Sequence, residues 1–450
     1  MSATASSTIP AGTSRGSTRV LVMSTIAFTL MFAVWLMFGI LGVPIQKELK
    51  LSDPQLAWIS AVAVLNGSLW RLPAGMLTDR IGGRVVTIAM LLLTAIPCYL
   101  VAHAHSYGML LMLAFLVGFA GNLFSVGVAW NSAWTPKERQ GFALGVFGAG
   151  NVGASVTKLM LVVFPTVLTA TAGATYFGFI EGGWRLFPVI YSFALVAVAV
   201  LILVVTPRTD RMAGAGKPIG EMLEPLKQMR VWRFSLYYAA VFGAYVALSA
   251  WLPKYYVDNF DVSLHDAALL TATFIFPASL LRPVGGAFSD RLGARKVMYL
   301  TFGVMLVTTG ILMMPNGHLV IAHPDGHTSQ HLAWNLGIAP FAVLVVLLGC
   351  AMGIGKAAVY KHIPEYFPDN VGSVGGLVGM FGGLGGFVLP PLFAYTKQWS
   401  GFPSSTFFVL FLLTALCAIW MHLTILRMHR EHSPEIADRI ERPETVGAQR

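Results

Sequence analysis

The stretch RLPAGMLTDRIGGR (71–84) recurs later in the chain as RPVGGAFSDRLGAR (282–295). The two copies share Arg, Gly, Asp, Arg, Gly and Arg at matching positions, and each directly follows an apolar run. A repeat at this separation predicts a chain built from two related halves. The longest polar segment between the copies, residues 207–230, is the expected linker between the halves.

The composition is that of a membrane protein, with 56% hydrophobic residues, 11% charged residues and a mean hydropathy of +0.70. An apolar helix of about 20 residues crosses a hydrocarbon core of roughly 30 Å. Runs of this length lie near residues 20–44, 55–78, 85–104, 108–134, 140–165, 185–206, 231–253, 265–288, 297–315, 337–361, 371–395 and 403–426. We therefore predict an all-α polytopic membrane protein in which twelve transmembrane helices form two pseudo-symmetric six-helix halves.

The basic residues predict how the chain is oriented in the bilayer. The net charge of +10 is compatible with a nucleic-acid partner, but its distribution is not. With the N-terminus inside, the cytoplasmic segments hold 20 Lys and Arg and the outer loops hold five, which is the positive-inside pattern. We expect a disordered cytoplasmic tail at 1–18, helical bundles at 19–206 and 231–426, and a second cytoplasmic tail at 427–450.

Arg71 and Arg282 occupy equivalent places in the repeat, eight residues before the Asp of each copy. At ~1.5 Å per residue each lies ~12 Å inside its helix, where a charge is normally paired. All 20 acidic residues, however, fall in predicted loops, tails or helix ends. The missing negative charge must come from outside the protein, which predicts an anionic substrate. A planar guanidinium suits planar oxyanions; the alternative is that both arginines snorkel or bond helix carbonyls.

Two predicted helices are rich in glycine. The fifth span contains GFALGVFGAGNVGASVTK (141–158), and the eleventh contains GSVGGLVGMFGGLGGFVLPP (372–391). Small residues at every third or fourth position let helix backbones pack closely in lipid. Packing does not require Asn151, whose amide can donate a hydrogen bond to a bound anion.

These patterns resemble a known family. The motif G-x-x-x-D-R-x-G-x-R, found at 75–84 and 286–295, resembles the loop motif of the major facilitator superfamily. The paired glycine-rich segments, together with Arg71 and Arg282, resemble the signatures of the nitrate/nitrite porter family, the NarK-type transporters of bacteria. The resemblance covers about residues 20–426. It implies a secondary transporter of nitrate or nitrite that works by alternating access in the bacterial inner membrane, as a monomer and without a cofactor.

The resemblance also implies roles for individual residues. Arg71 and Arg282 clamp the anion from opposite halves, and the other predicted substrate contacts are Asn151, Tyr238, Phe32, Phe124 and Phe242. The glycines that permit packing and sliding of helices are Gly145, Gly148, Gly150, Gly379, Gly382 and Gly383. A conformational latch, which pairs across the cytoplasmic interface in one state, comprises Asp79, Arg80, Arg84, Asp290, Arg291 and Arg295. A solvated, positively charged turn is the alternative to the latch.

Import requires a driving force, because moving one negative charge inward costs ~2.3 kcal/mol per 100 mV. The segment GIGKAAVYKHIPEYFP (353–368) resembles the branch of the family that couples nitrate to protons, and exchange of nitrate for nitrite is the alternative. No carboxylate or histidine lies in the predicted core to carry a proton. The proton-coupling candidates are therefore Lys356, Lys158, Lys361 and Glu365. Because Lys158 and Lys356 lie near predicted helix ends, snorkelling competes with this role.

Other classes of function find little support in the sequence. There is no nucleophile paired with a base, no metal cluster and no cofactor motif for an enzyme, and no output domain for a non-transporting anion sensor. The cysteines, Cys98, Cys350 and Cys417, lie in apolar helices without metal-ligand spacing. The histidines between 318 and 331 are irregularly spaced, which predicts a solvated loop rather than a metal site.

Overall fold

The computed structural model describes residues 11–135, 137–163, 171–211, 224–322, 328–366 and 371–432. Helices occupy each of the twelve predicted spans. In the first six spans they run over Ala11–Trp35 and Phe38–Leu49, Asp53–Leu69 and Arg71–Ile81, Gly83–Val101, Tyr107–Gly118 and Leu123–Trp134, Lys137–Ala149 and Val156–Val163, and Leu186–Val205. In the last six they run over Met229–Tyr238 and Ala244–Phe260, Leu264–Leu280 and Arg282–Leu292, Ala294–Leu312, Ile338–Tyr366, Val371–Ser400, and Ser405–His432.

The architecture confirms the predicted all-α membrane fold. In the described part of the chain, ten helical segments are long and apolar enough to cross a membrane. The remaining two spans, the second and the fifth, are divided into shorter helices and carry Arg71 and Lys158. Three spans contain non-α turns: the fourth and fifth pass through 3-10 segments at Phe119–Asn122 and Gly150–Ser155, and the seventh through a π-turn at Ala239–Gly243.

Two local predictions were wrong. The first helix begins at Ala11, so residues 11–18 extend the first span instead of belonging to a disordered tail. Between the ninth and tenth spans, Gly317–Ala322 pairs with Thr328–Trp334 in an antiparallel hairpin where we expected a solvated loop. The Pro-Asp-Gly sequence between these strands, residues 324–326, is an ordinary turn signal. His323 and His327 lie outside the described residues.

The repeat is visible in the backbone. Trp70 (φ −88°, ψ 4°) and Leu281 (φ −82°, ψ 1°) interrupt the second and eighth spans, and each is followed at once by the conserved arginine position of the repeat. Both short helices then end at a glycine of the motif, Gly82 with φ +91° and Gly293 with φ +84°. Side chains are strained at such φ values, which explains the glycines. Each copy therefore forms a break, an arginine, a short helix and a one-residue turn.

The two halves meet at one face of the molecule. We call it the hairpin face, because both two-stranded hairpins lie there, and we call the opposite face, which bears residues 206–211 and 224–228, the linker face. On the hairpin face, Asp53 of the first half accepts from Lys254 (3.1 Å) and Lys397 (2.8 Å) of the second. Asp258 contacts the same lysines at 2.8 and 3.2 Å. These four residues, the hairpin-face cluster, tie the second, seventh and eleventh spans together.

Asp53→Asn tests this connection, because it leaves both lysines facing Asp258 alone. A partly exposed ion pair contributes up to about 1 kcal/mol, roughly fivefold in an equilibrium constant. The measurement uses a cysteine-free background that carries Ala57→Cys. We expect a membrane-impermeant maleimide to label this cysteine several times faster in the Asp53→Asn variant than in its parent, because the hairpin face should open more often. The control is Glu181→Gln, which breaks a pair with Arg185 inside the first half. Equal labelling of Asp53→Asn and the parent would contradict a closing role for the cluster.

Candidate anion-binding site

Arg71 lies in the interior between the halves. Its side chain is 2% exposed, and it follows the break at Trp70, which turns the short helix of the second span toward the eleventh span. Nε donates to the carbonyl of Gly67, and Nη1 donates to the carbonyl of Gly379 in the other half, both at 3.0 Å. Arg71 thus links the second and eleventh spans by a hydrogen bond that leaves its positive charge uncompensated.

Arg282 faces Arg71 from the second half and has fewer partners. It is partly exposed, and it makes no hydrogen bond with a described residue. Its Nη1 is buried and unpaired. The positive charges of Arg71 and Arg282 repel each other, and neither arginine forms an ion pair with any carboxylate whose side chain is described. A buried donor with no acceptor and no counter-charge is the environment that a bound anion would satisfy.

Aromatic rings surround the two guanidiniums. The ring of Phe124 lies between them, with its centroid 5.7 Å from Cζ of Arg71 and 5.8 Å from Cζ of Arg282. Phe242 lies 5.4 Å from Cζ of Arg71. These contacts place Phe124 and Phe242 where we predicted rings that exclude water. Apolar walls strengthen any electrostatic contact inside the site.

Phe32 makes no cation–π contact with either guanidinium, and its place beside a bound anion stays a prediction. Its ring packs edge-on against Trp35 at 5.2 Å and against Phe28 at 5.5 Å. The ring that reaches Arg71 from the first span is Trp35, at 5.6 Å, and its indole N–H donates to the carbonyl of Ala63 at 3.0 Å. An aromatic residue in an apolar helix gives no sequence signal that separates these two positions.

The predicted glycines lie against the arginines in a crossed arrangement. A methyl group on Gly148 of the fifth span would lie 3.4 Å from Nη1 of Arg282, and one on Gly383 of the eleventh would lie 3.6 Å from Cζ of Arg71. Gly379 already binds Arg71 through its carbonyl. Each glycine-rich helix therefore makes room for the arginine of the opposite half.

Two further glycines have packing roles away from the guanidiniums. A methyl group on Gly382 would clash with the ring of Tyr238 at 2.2 Å, and one on Gly150 would meet Phe28 of the first span at 2.7 Å. Gly150 is thus a helix-packing residue of the first half.

One turn nearer the linker face lie four further glycines, Gly75, Gly145, Gly286 and Gly376, which we call the linker-side glycines. Around three of them no described atom lies within 4 Å of an added methyl group, and around Gly75 the nearest is Cβ of Ser125 at 3.8 Å. Among the described residues, the site is therefore closed at the hairpin face by direct contacts and has open space around three glycines on the linker side.

Polar groups complete the lining. Asn151 lies in the 3-10 segment of the fifth span, and both atoms of its amide are buried without a hydrogen-bond partner among the described residues. The hydroxyl of Tyr245 donates to the carbonyl of Asn151 (3.2 Å) and contacts Ser279 (3.0 Å), which precedes Arg282 by three residues. Tyr238 stacks on Phe242 with centroids 4.9 Å apart. Tyr245, like Tyr360 beside Tyr238, was not predicted from the sequence.

The predicted lysines separate into different environments. Lys356 is 0% exposed, and its amine donates to the carbonyl of Ala278 at 2.9 Å, so snorkelling is ruled out as its explanation. Lys158 is also fully buried, and it donates to the carbonyl of Ala154 in its own helix at 2.8 Å. Lys361 is partly exposed near the end of the tenth span, and the side chain of Glu365 lies outside the described set.

Among the predicted latch residues, Arg80, Arg84 and Arg291 make no contact across the halves with a described residue. Arg84 donates to the carbonyl of Leu203 (2.7 Å) and to Thr206 (3.1 Å), and its backbone N–H donates to Asp210 (2.7 Å). These partners belong to the end of the sixth span and the start of the linker. Arg80 and Arg291 are exposed, Arg295 lies near His362, and the side chains of Asp79 and Asp290 are outside the described residues. A latch across the halves stays a prediction for another conformation.

The fold and the site are those of a transporter of the major facilitator class. Comparison with known proteins leads to the same class. The Major Facilitator Superfamily model matches residues 23–323 and 255–447. The probable nitrate/nitrite antiporter NarK1 of Thermus thermophilus is 61% identical, covering 94% of this chain and 95% of that protein. The nitrite extrusion protein of Bacillus subtilis is 30% identical, covering 87% and 91%. The chain belongs to the NarK-type family of the major facilitator superfamily.

Proteins with lower sequence identity also match this chain over most of its length. The probable nitrate transporter NarT of Staphylococcus epidermidis is 29% identical and covers 89% of this chain and 95% of that protein. Among solved structures, a bacterial homolog of the human lysosomal transporter Spinster, in an inward-facing and occupied conformation, matches with a TM-score of 0.68. That match has 16% sequence identity and covers 91% of this chain and 96% of the other.

Asn151→Leu tests whether the unpaired amide serves binding or folding. Because neither amide atom has a described partner, replacing it by an apolar group of similar size should leave stability unchanged or raise it. Asn131→Leu is the matched control: its amide donates to Ser24 and Gly127 at 2.8 Å, so its loss should cost about 1–3 kcal/mol. Heat-induced reaction of the buried Cys98 and Cys417 with a thiol dye reports unfolding. Equal destabilisation by both variants would make Asn151 a structural residue.

Proposed function

We propose that the protein transports nitrate, with nitrite as a second substrate, and that the planar anion binds between Arg71 and Arg282. The observation that carries this proposal is the pair of guanidiniums in the interior, which has no carboxylate partner among the described side chains. The edge oxygens of a planar oxyanion match the donor fork of a guanidinium. The unpaired Nη1 of Arg282 and the unpaired amide of Asn151 supply further donors.

The relatives support this choice of substrate. The protein that shares 61% of its residues with this chain is named a nitrate/nitrite antiporter, and two more distant ones are named for nitrate and for nitrite. The rings of Phe124 and Phe242, within 6 Å of the Arg71 guanidinium, give the proposed site apolar walls.

The mechanism we propose is alternating access around the arginines. The linker face lies in the cytoplasm, because it carries the basic segments, and both termini lie on that side. Substrate released from this conformation leaves past the linker-side glycines. In the opposite conformation the hairpin-face cluster separates, and the four glycines allow the helices to approach closely on the cytoplasmic side. The bound anion offsets the repulsion between the arginines and so permits the halves to close around it.

For coupling, we propose symport of nitrate with protons. The buried lysine in the tenth span supports it, since that group can gain and lose a proton inside the site. Exchange of nitrate for nitrite is the second candidate, and it is favoured by similarity to the probable nitrate/nitrite antiporter of Thermus thermophilus.

Arg71→Lys and Arg282→Lys keep the charge and remove the planar fork. A charge-assisted hydrogen bond contributes about 1.5–3 kcal/mol, so each variant should take up nitrate roughly 10- to 100-fold more slowly in proteoliposomes. Arg208→Lys, at an exposed arginine of the linker face, is the matched control and should transport normally. Normal uptake by both site variants, at wild-type amounts in the membrane, would exclude the arginines as the site.

Symport and exchange differ in what must be present inside the vesicle. We expect an inward proton gradient to drive nitrate accumulation into proteoliposomes that contain no nitrite, because the proton supplies the missing positive charge. Internal nitrite and the proton gradient should be varied independently, with nitrate measured inside. Uptake that requires internal nitrite and ignores the proton gradient would establish exchange and reject symport.

A further inference from the structure

Lys356 lies in the wall of the anion site. Its Nζ is 3.2 Å from the ring centroid of Tyr245 and 5.8 Å from that of Phe242, the ring that also contacts Arg71. Its acceptor, the carbonyl of Ala278, precedes Arg282 by one helical turn. The amine is thus held among the same rings and beside the same helix break as the two arginines.

The groups that face Lys356 bring no negative charge. From the eighth span it meets the positive charge of Arg282, and Arg71 of the second span contacts the same ring, that of Phe242, as Lys356 does. The seventh span contributes the neutral Tyr245, the ninth contributes Thr301 through its contact with Gly355, and the tenth itself contributes Tyr360 one turn away. No carboxylate with a described side chain pairs with Lys356. Among the described side chains the site therefore holds two arginines, one lysine and no acid.

Only one of these three groups can change its charge. An arginine stays protonated in proteins, whereas a lysine removed from water gives up its proton readily. In the empty site, repulsion from two fixed guanidiniums favours the neutral amine. An anion between the guanidiniums reverses this balance and favours the protonated amine. Binding of anion and proton must then be mutually cooperative, since coupling between two ligands is reciprocal.

We propose that Lys356 carries the coupled proton: it is neutral in the empty site, takes one proton from water onto Nζ when the anion binds, and returns it to water when the anion leaves. This rests on the nitrate–proton symport proposed above. One proton then accompanies each nitrate, no bond other than N–H forms or breaks, and the carried pair has no net charge.

The surroundings of the amine accommodate both forms. A neutral amine and an ammonium can each donate to the carbonyl of Ala278, so that hydrogen bond survives the change. The face of Tyr245 adds a cation–π contact that operates in the protonated form alone. Lys158 lacks this setting: it bonds its own helix, and among the described residues it contacts neither an aromatic face nor an arginine.

Lys356→Gln separates coupling from binding in proteoliposomes. We expect nitrate/nitrate counterflow without a pH gradient to continue, because exchange needs no net proton movement, and accumulation driven by a pH gradient to be lost. Lys158→Gln removes the other fully buried lysine and should retain accumulation. Accumulation by Lys356→Gln at the wild-type ratio would overturn the assignment of Lys356 while leaving symport intact. Nitrate exchange without proton-driven uptake in the wild type would overturn symport and this assignment together.

A second measurement tests the proposal even if the Lys356→Gln variant does not fold. In weakly buffered detergent solution with a pH dye, addition of nitrate should make the wild-type protein take up about one proton per bound anion. Lys356→Arg, which stays charged, should bind nitrate with an affinity that does not change between about pH 6 and about pH 9. Absence of proton uptake by the wild type, or the same uptake by Lys356→Arg, would overturn the proposal.

Discussion

Two guanidiniums that cannot lose their charge, held in the interior without a carboxylate, are the constraint on which the rest of this structure depends. The helix breaks at Trp70 and Leu281 direct the arginines inward, and the glycines of the fifth and eleventh spans leave room for them. The rings of Trp35, Phe124 and Phe242 lie within 6 Å of the Arg71 guanidinium and line the site with apolar surface. Each feature makes the empty site electrostatically unfavourable, so the free energy of anion binding and the closure of the halves have the same physical origin.

The two charged clusters between the halves behave differently because their compositions differ. The hairpin-face cluster contains two carboxylates and two ammonium groups, so it is neutral as it stands and can close without a ligand. Among the described residues the central site contains cations alone, so the mechanism proposed above requires an anion for the halves to close around it. This difference in charge agrees with the contact between the halves at the hairpin face and with the open space around three of the linker-side glycines.

Much of this follows from the sequence, because the deciding signals are differences in composition. The apolar runs gave the twelve spans, and the positions of every acid left Arg71 and Arg282 without a counter-charge. The aromatic rings and hydroxyl groups of the site are harder to predict from the sequence. Trp35, Tyr245 and Tyr360 differ from ordinary core aromatic residues only in the direction in which they face. Lys356 was misjudged because its helix continues to Tyr366, five residues past the predicted end, so it sits deeper than its sequence position indicated. Helix ends depend on tertiary packing, which periodicity does not contain.

The absence of an acid from the predicted core also bears on how protons can be coupled to an anion. In a site built on a carboxylate, the proton removes a charge, and the substrate must tolerate both the ionised and the neutral acid. A lysine reverses the sign, because protonation adds a charge that the surrounding arginines oppose. The added charge is acceptable only when an anion is present to balance it. In such a site the substrate itself is the counter-ion of the proton, and coupling needs no carboxylate at all.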